Sequence, residues 1–443
     1  MEKIKSSLFY LLLVFLPLQL GRHFFFDFAF ISGLRSDYLV PTLYLTDILI
    51  ILLIILWFVE EISYKVVNLK SQVQAARYQT NSKVKNLNFN IVKRLEFWIL
   101  IFFIVYLFIN VFFIATNQWA ALYKLVKILE FFLLGMVVAK IKPKVVAVVF
   151  FLSIGMIYSG FLAFSQFILQ RSVGGFFYFL GERTFYAGTP GIATVYFNNG
   201  LMLRPYATFP HPNVLGGALA VLLPMVFYFV ALNKKPVAFL LQMFFSAVFI
   251  LGLITLFLTF SRASWAVFLL GFALVFFVGK KKILLWLEKN KDKTLLFFYS
   301  LFFLSVLFFW LVPSYSNSIL QRRELLKAAF EMILQNPLFG VGLNNFVVAA
   351  KDYLPKIADP YIFQPVHNVY LLVFSELGII GFVVIITLVY FTFLQSLKSH
   401  PLIIVAVLQL AFLGFFDHYL FTLQQAQLLF VVFVALAFCR GKN

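Results

Sequence analysis

Cysteine is nearly missing from this chain of 443 residues. Cys439 is the single one, which excludes an internal disulfide and any cysteine-held metal cluster. Charge is also scarce: charged residues make up 12% of the sequence against 63% hydrophobic ones, and mean hydropathy is +0.97. A soluble globule has an apolar content near half, so that class is excluded. The sequence contains no P-loop, HExxH or GxSxG motif and no paired outer aspartates of the metal-holding kind. An internal repeat is lacking too. The formal charge of +19 raises nucleic acid as a partner, but no basic face with interleaved aromatics accompanies it. Most lysines sit in short loops between apolar runs, the positive-inside pattern of a membrane protein, so we expect no nucleic acid.

What is present is a succession of apolar runs, each of roughly 20 residues, the length that crosses a ~30 Å hydrocarbon core. The expected fold is an all-α polytopic membrane protein of about twelve transmembrane helices, one integral-membrane domain over 1–443. Placing the Lys/Arg-rich breaks inside gives spans at 8–30, 42–59, 97–115, 121–139, 145–169, 214–232, 237–260, 265–278, 294–312 and 369–394, then two more before Arg440 and Lys442. Residues 60–96 form a basic cytoplasmic loop, 171–212 and 313–368 lie outside, and both termini lie inside. The first run lacks a small-residue cleavage site and reads as a retained anchor. Ionisable residues within spans mark function or pairing. Here Arg22, Asp27, Asp47, Lys124, Lys127, Glu130 and Glu376 all count into the outer half of the bilayer, whereas a transporter would hold its binding groups near the midplane.

Three outer segments hold the polar chemistry. In RPYATFPHPN, Arg204 lies just above the membrane and reads either as a grip on two phosphate oxygens or as a snorkelling interfacial arginine. His211, between two prolines, reads as a turn residue before a catalyst, and Asn213 as the cap of the sixth span. In TFSRAS, Arg262 occupies a turn of a few residues with little water around it, open to the same two readings, beside Trp265 as an interface anchor. The third segment runs from 311 to 381 and is the one extended polar stretch of the chain. Apolar residues at helical spacing over 319–335, set against Arg322, Arg323, Glu324, Lys327 and Glu331, predict an amphipathic helix along the membrane surface. Asn336-Pro337 ends it, Gly340 and Gly342 allow a sharp turn, and His367 stands at the mouth of the next span. A neutral imidazole there could take a proton from a hydroxyl; a solvated histidine at a helix start is the other reading.

The stretch RELLKAAFEMILQNPLFGVGLNNF followed by VHNVYLLVFSELGIIGF carries P-x-x-G-x-G-x-x-x-F, H-N and E-x-G-x-x-G in order. With the RPYATFPHPN and TFSRAS segments it resembles the O-antigen ligase and Wzy-type polymerase family of bacterial envelope glycosyltransferases. The resemblance implies a GT-C-like helical fold that moves a glycan from an undecaprenyl-diphosphate carrier to a glycan, lipid or protein acceptor hydroxyl. It implies inversion at the anomeric carbon, no metal and no cofactor, in a multi-pass protein of the bacterial inner membrane whose site faces the periplasm or exterior. By position, His367 would be the general base and Arg204 and Arg262 would bind diphosphate. Arg323, His211 and Glu376 would touch substrate or support the site. A lipid-linked glycan flippase or exporter is the alternative from another class, and an envelope scaffold a third.

Overall fold

The computed structural model describes residues 1–78, 95–197, 200–233, 238–278, 317–354 and 363–439. The expected span at 294–312 and residues 79–94 of the basic loop expected at 60–96 lie outside them, while residues 60–78 of that loop continue a helix that begins at Leu45. The helices are α1 (Glu2–Phe15), α2 (Leu45–Tyr78), α3 (Leu95–Ile109), α4 (Gln118–Ile141), α5 (Val145–Leu169), α6 (Phe176–Phe179), α7 (Pro212–Phe227), α8 (Phe239–Leu258) and α9 (Arg262–Val278). They continue as α10 (Asn317–Gln335), α11 (Phe346–Tyr353), α12 (Val369–Ser396), α13 (Pro401–Leu413), α14 (Tyr419–Thr422) and α15 (Gln424–Ala437). Among the described residues, three two-stranded antiparallel sheets accompany them: β1 (Gly21–His23) with β4 (Thr42–Tyr44), β2 (Phe30–Ile31) with β3 (Leu34–Arg35), and β5 (Thr194–Phe197) with β6 (Gly200–Leu203).

Among the described residues, Val145–Leu169, Pro212–Leu232, Phe239–Leu258 and Val369–Ser396 are long and apolar enough to cross a membrane. Shorter apolar helices stand at Ile101–Ile114, Arg262–Phe277, Pro401–Leu413 and Gln424–Ala437. The chain is thus a mainly helical protein with membrane-span helices. The first expected span is corrected: α1 ends at Phe15, two residues before Pro17, and the chain from 21 to 44 folds into β1–β4. Proline cannot continue a helix interior, because its ring clashes with the preceding turn and it has no N–H to donate. Arg22 and Asp27, counted into the hydrocarbon from sequence, therefore lie exposed in a strand and a short turn. The other buried charges are paired. Lys127 Nζ lies 2.5 Å from Asp47 Oδ2 and 3.2 Å from Glu130 Oε2, and Lys124 donates to the Phe421 carbonyl. Unpaired charge at such positions would be too costly to keep.

Helix α7 stands at the centre of the bundle, nearly all of its residues buried. It packs on α8, α9, α13 and α5. Its sequence is apolar around the whole circumference, as a helix surrounded by others requires. Small residues let the neighbours approach closely, since between membrane helices packing rather than hydrophobic expulsion drives association. A Cβ at Gly216 would stand 2.8 Å from Ser264 Oγ and 2.9 Å from Thr259 Oγ1, and one at Gly217 would overlap the Tyr419 hydroxyl. The two glycines thus bring the turn at 259–264 and the segment at 417–419 against the first turn of α7. Lower down, Gln409 Nε2 donates to the carbonyls of Ala220 (2.7 Å) and Val267 (3.0 Å), tying α13 to α7 and α9.

The amphipathic helix expected at 319–335 is α10. Its apolar stripe (Leu325, Leu326, Ala329, Met332, Ile333) is buried against protein, including Leu39, Phe346, Val366 and Leu371. The stripe read as membrane-facing is therefore in large part a docking face for the loops that carry the site.

The glycine motifs build one interlocked joint. Helix α12 is broken at Gly378 (φ 59°, ψ −164°), which leaves carbonyls without helical partners. Val341 and Gly342 N–H groups donate to the carbonyls of Ser375 and Glu376, both at 2.9 Å, and Ile379 N–H to that of Pro337 at 2.9 Å. Tyr106 donates its hydroxyl to the Leu377 carbonyl at 2.6 Å. The Glu376 carboxylate accepts from the N–H groups of Asn344 (2.9 Å) and Phe346 (3.1 Å), holding the loop at the start of α11. Only glycine adopts the backbone of residue 378 without strain of about 1–3 kcal/mol, and a Cβ there would run into the Leu338 carbonyl. Gly378→Ala is therefore expected to lower the melting temperature by several degrees and reduce the yield of folded protein. Gly135→Ala, whose Cβ has its nearest neighbour at 3.8 Å, should melt as the parent does in the same detergent.

Candidate active site

The site forms where three segments meet. The first is the loop before α7. His211 is the N-cap of α7, its Nδ1 accepting from the Asn213 N–H at 3.0 Å, with Pro212 at the first helical position. The cap expected of Asn213 thus belongs to His211, which is consistent with a turn role. The Asn213 side chain is left to bridge two other groups. Its Oδ1 accepts from Arg204 Nη2 at 2.6 Å and its Nδ2 donates to Asp417 Oδ2 at 3.0 Å.

The second segment is the turn between α8 and α9. Phe260 has φ 50°, and the Thr259 carbonyl accepts from Arg204 Nε at 2.7 Å. This hydrogen bond joins the two arginine-bearing segments. Ser264 Oγ lies 2.8 Å from Ser261 Oγ and reaches the Asn213 carbonyl at 3.5 Å. Arg262 is the exposed first residue of α9.

The third segment pairs 365–368 with 414–418. Asn368 caps α12 by accepting from the Leu371 N–H (3.0 Å) and donates to the Phe415 carbonyl (3.2 Å), while the Val369 N–H donates to the Gly414 carbonyl (2.8 Å). These bonds bring His367 onto Asp417, its Nδ1 3.2 Å from Asp417 Oδ1. A carboxylate only accepts, so Nδ1 carries the proton and Nε2 keeps its lone pair. Asp417 Oδ1 also accepts from the His418 N–H at 2.9 Å. The His418 ring lies 5.0 Å from that of His367 and 5.4 Å, edge-on, from that of Tyr38, with its Nδ1 2.7 Å from Thr422 Oγ1.

The electrostatics follow from burial and from the arginines. Burial lowers the pKa of His367, the Arg322 guanidinium lowers it further, and Asp417 opposes both without reversing them. His367 is therefore neutral at pH 7. Burial also drives His211 and His418 down to about 3. For Asp417 burial pushes the carboxyl up, but His367, His418 and Arg322 hold it well below the usual carboxylate range. Burial lowers Arg204 to about 10, which leaves it charged. Arg322 donates to the Phe416 carbonyl at 3.4 Å and feels both the attraction of Asp417 and the repulsion of Arg262. Two guanidiniums, Arg204 and Arg322, act on one carboxylate, and Arg262 lies within electrostatic reach of Arg322, so the cluster has an excess of positive charge suited to an anion.

His367, Asp417 and His418 also bring ligand atoms within 4.8 Å of one another, a set that could hold a metal ion. No sequence spacing announces it. The chemistry of the set fits a cation poorly, because three N–H donors already occupy the Asp417 oxygens and Arg204 and Arg322 act on the same carboxylate. A dication would compete with all of these.

Of the residues singled out from sequence, Arg204 and His367 are joined by the hydrogen-bonded chain through Asn213 and Asp417. Arg262 lies within electrostatic reach through Arg322. His211 shapes the turn, and Glu376 works in the glycine joint, bonded to backbone N–H groups. On α10 it is Arg322, the neighbour of Arg323, whose charge acts on His367 and Asp417; successive helical residues point about 100° apart. Sequence reasoning missed Asp417, His418 and the bridging role of Asn213. The one available signal was an Asp-His pair, FFDHY, interrupting the last apolar stretch, where charge inside a span marks function or pairing.

No curated protein matches the chain. Residues 247–386 match the family model described as O-antigen ligase. The matched stretch contains Arg262, Arg322, His367 and both glycine motifs, while Arg204, Asn213 and Asp417 lie outside it and complete the same cluster. Over that stretch the chain is similar to the O-antigen ligase family, which the sequence motifs also resemble.

Proposed function

We propose that this protein is an inverting, metal-independent glycosyltransferase that moves a glycan from an undecaprenyl-diphosphate carrier to an acceptor hydroxyl. The family match supports O-antigen ligase or polymerase-type activity. The observation that carries the finer reading is the chain Arg204–Asn213–Asp417–His367, which fixes a phosphate-binding cation and a neutral base in one frame. We place the site on the periplasmic or outer side of the bacterial inner membrane, with both termini cytoplasmic, following the distribution of Lys and Arg.

His367 Nε2 takes the proton of the acceptor hydroxyl as that oxygen bonds to the anomeric carbon of the donor sugar. The bond from that carbon to the phosphate oxygen breaks, and its electron pair leaves with the diphosphate. A single displacement inverts the configuration. Arg204, Arg262 and Arg322 neutralise the charge that develops on the diphosphate, the role a metal ion serves in other phosphate-leaving reactions. Asp417 stabilises the imidazolium and sets its tautomer. The proton then passes to solvent or to the departing diphosphate.

Purified protein in proteoliposomes with undecaprenyl-diphosphate-linked repeat units is expected to form product, and a metal chelator should leave the rate within about twofold. A ladder of lengthening lipid-linked glycan identifies a polymerase. Product that needs an added lipid or protein acceptor identifies a ligase. Movement of labelled donor across the bilayer without any new glycosidic bond would instead make the protein a flippase. Loss of activity on chelation would return His367, Asp417 and His418 to the role of metal ligands.

A further inference from the structure

His211 caps α7 with one ring nitrogen, and the other is left over. Nδ1 accepts from the Asn213 N–H at 3.0 Å. A backbone N–H only donates, so Nδ1 is the bare nitrogen and the neutral ring carries its proton on Nε2. This tautomer is the reverse of that at His367, where Nδ1 faces the Asp417 carboxylate and holds the proton. One imidazole of the cluster therefore offers a lone pair at Nε2, and the other offers an N–H there. Burial, and after it the Arg204 guanidinium, keep the His211 ring neutral by lowering its pKa to about 3.

The ring is braced by the loop between α5 and α7. Tyr206 lies edge-on to it, with 5.9 Å between ring centroids, and the carbonyl of the preceding Pro210 accepts from Arg183 Nη2 at 2.8 Å. Arg183 in turn sits over the Tyr206 ring at 5.2 Å. The charges that act on the His211 ring are those of Arg204, Asp417, His367 and Arg322, which places it within the anion-binding cluster. Among the described residues no group accepts from its Nε2. An N–H in a half-buried ring is costly to leave without an acceptor.

Three properties narrow the ligand. Nε2 can only donate, so its partner is an acceptor atom. Arg204 and Arg322 act on the same place, so that atom belongs to an anion. The ring also stands at the N-terminus of α7, where the aligned peptide dipoles favour negative charge. A diphosphate oxygen meets all three conditions, whereas an acceptor hydroxyl arrives uncharged.

We propose that His211 is a second catalytic histidine, donating its Nε2–H to an oxygen of the diphosphate leaving group. The inference rests on the glycosyltransferase reading and deepens it. As the bond from the anomeric carbon breaks, its electron pair settles on the phosphate oxygens, and the hydrogen bond strengthens with that charge. The proton stays on Nε2 throughout, so the step consumes no further group.

Two variants separate this role from capping. Asparagine is a good N-cap residue but lacks the distal N–H, so His211→Asn should melt near the parent temperature. Its kcat should fall roughly 10²-fold, the cost of removing one donor to a developing oxyanion. Glutamine returns an N–H close to the position of Nε2 but is a poor cap, so His211→Gln should melt lower, yet with a kcat about tenfold above that of His211→Asn. Undecaprenyl diphosphate without a glycan probes the leaving-group site: its inhibition constant should rise about tenfold in His211→Asn, with the acceptor KM within about twofold. Parental kcat in His211→Asn, a rise in acceptor KM in place of the inhibition constant, or a kcat that follows the melting temperature across the two variants overturns the proposal. Should His211→Asn fail to fold, His211→Ser, another capping residue, takes the same measurements. Any of the overturning results with an active parent leaves the transferase reading standing. A parent inactive in transfer, whose melting temperature rises with undecaprenyl diphosphate only when His211 is present, keeps the diphosphate contact and removes the transferase reading.

Discussion

His367→Ala is expected to lower transfer by roughly 10²–10⁴-fold, the range for loss of a positioned general base. The protein should still insert and melt near the parent temperature, since among the described residues the His367 ring bonds to Asp417 and does not build the helix cap, which Asn368 supplies. The pH profile adds a second check. Burial and Arg322 hold the imidazole below its ordinary 6.5, so the basic, active form persists as pH falls. The rate should stay level from neutral pH to below 6.5, and only then decline. A profile already falling at pH 7, or an alanine variant with parental activity, would remove His367 as base.

Asp417→Asn is the second variant expected to have a large effect, with kcat reduced roughly 10²–10⁴-fold. An asparagine can turn its N–H₂ toward His367 Nδ1, which would then accept; the proton moves to Nε2 and the base is lost. The same substitution withdraws the charge that stabilises the imidazolium and weakens the bridge through Asn213 to Arg204. Stability supplies an independent readout. The Asp417 carboxyl titrates below its ordinary 3.8 in the folded protein, so its contribution is present above that pH and is lost as pH falls through and below it. The variant should melt below the parent at pH 7, and the gap should close as the pH is brought below 3.8. A variant with parental kcat and an unchanged acid limb would leave Asp417 without a role in orienting His367.

Much of the helical layout was legible in sequence because a hydrocarbon-length apolar run carries its own boundary. The run at 145–169 is α5 end to end, and those at 214–232, 237–260 and 369–394 differ from their helices by two residues or fewer at each end. The first run misled because hydropathy does not register what Pro17 does to a helix, nor that Arg22 and His23 belong to a strand paired with 42–44. The amphipathic pattern at 319–335 gave the helix but not its neighbour, since a membrane surface and a packed loop present the same apolar requirement to one face.

At the site, the sequence by itself determined which polar groups exist in an otherwise apolar chain: two arginine-bearing turns, a histidine before a span, and glycines where the backbone takes conformations a side chain forbids. Each of these is a local property, readable from neighbours a few residues away. The tertiary structure alone decided their pairing. Asp417 stands 50 residues from His367 and 204 from Asn213, and it became the hub because Gly216 and Gly217 let Ser264 and Tyr419 approach the first turn of α7. Arg322 was likewise placed by the apolar face of α10 docking on the site loops rather than by any motif around it. Hydrogen bonds and charge act over a few ångströms, and which residues come within that distance is fixed by how helices far apart in the chain pack.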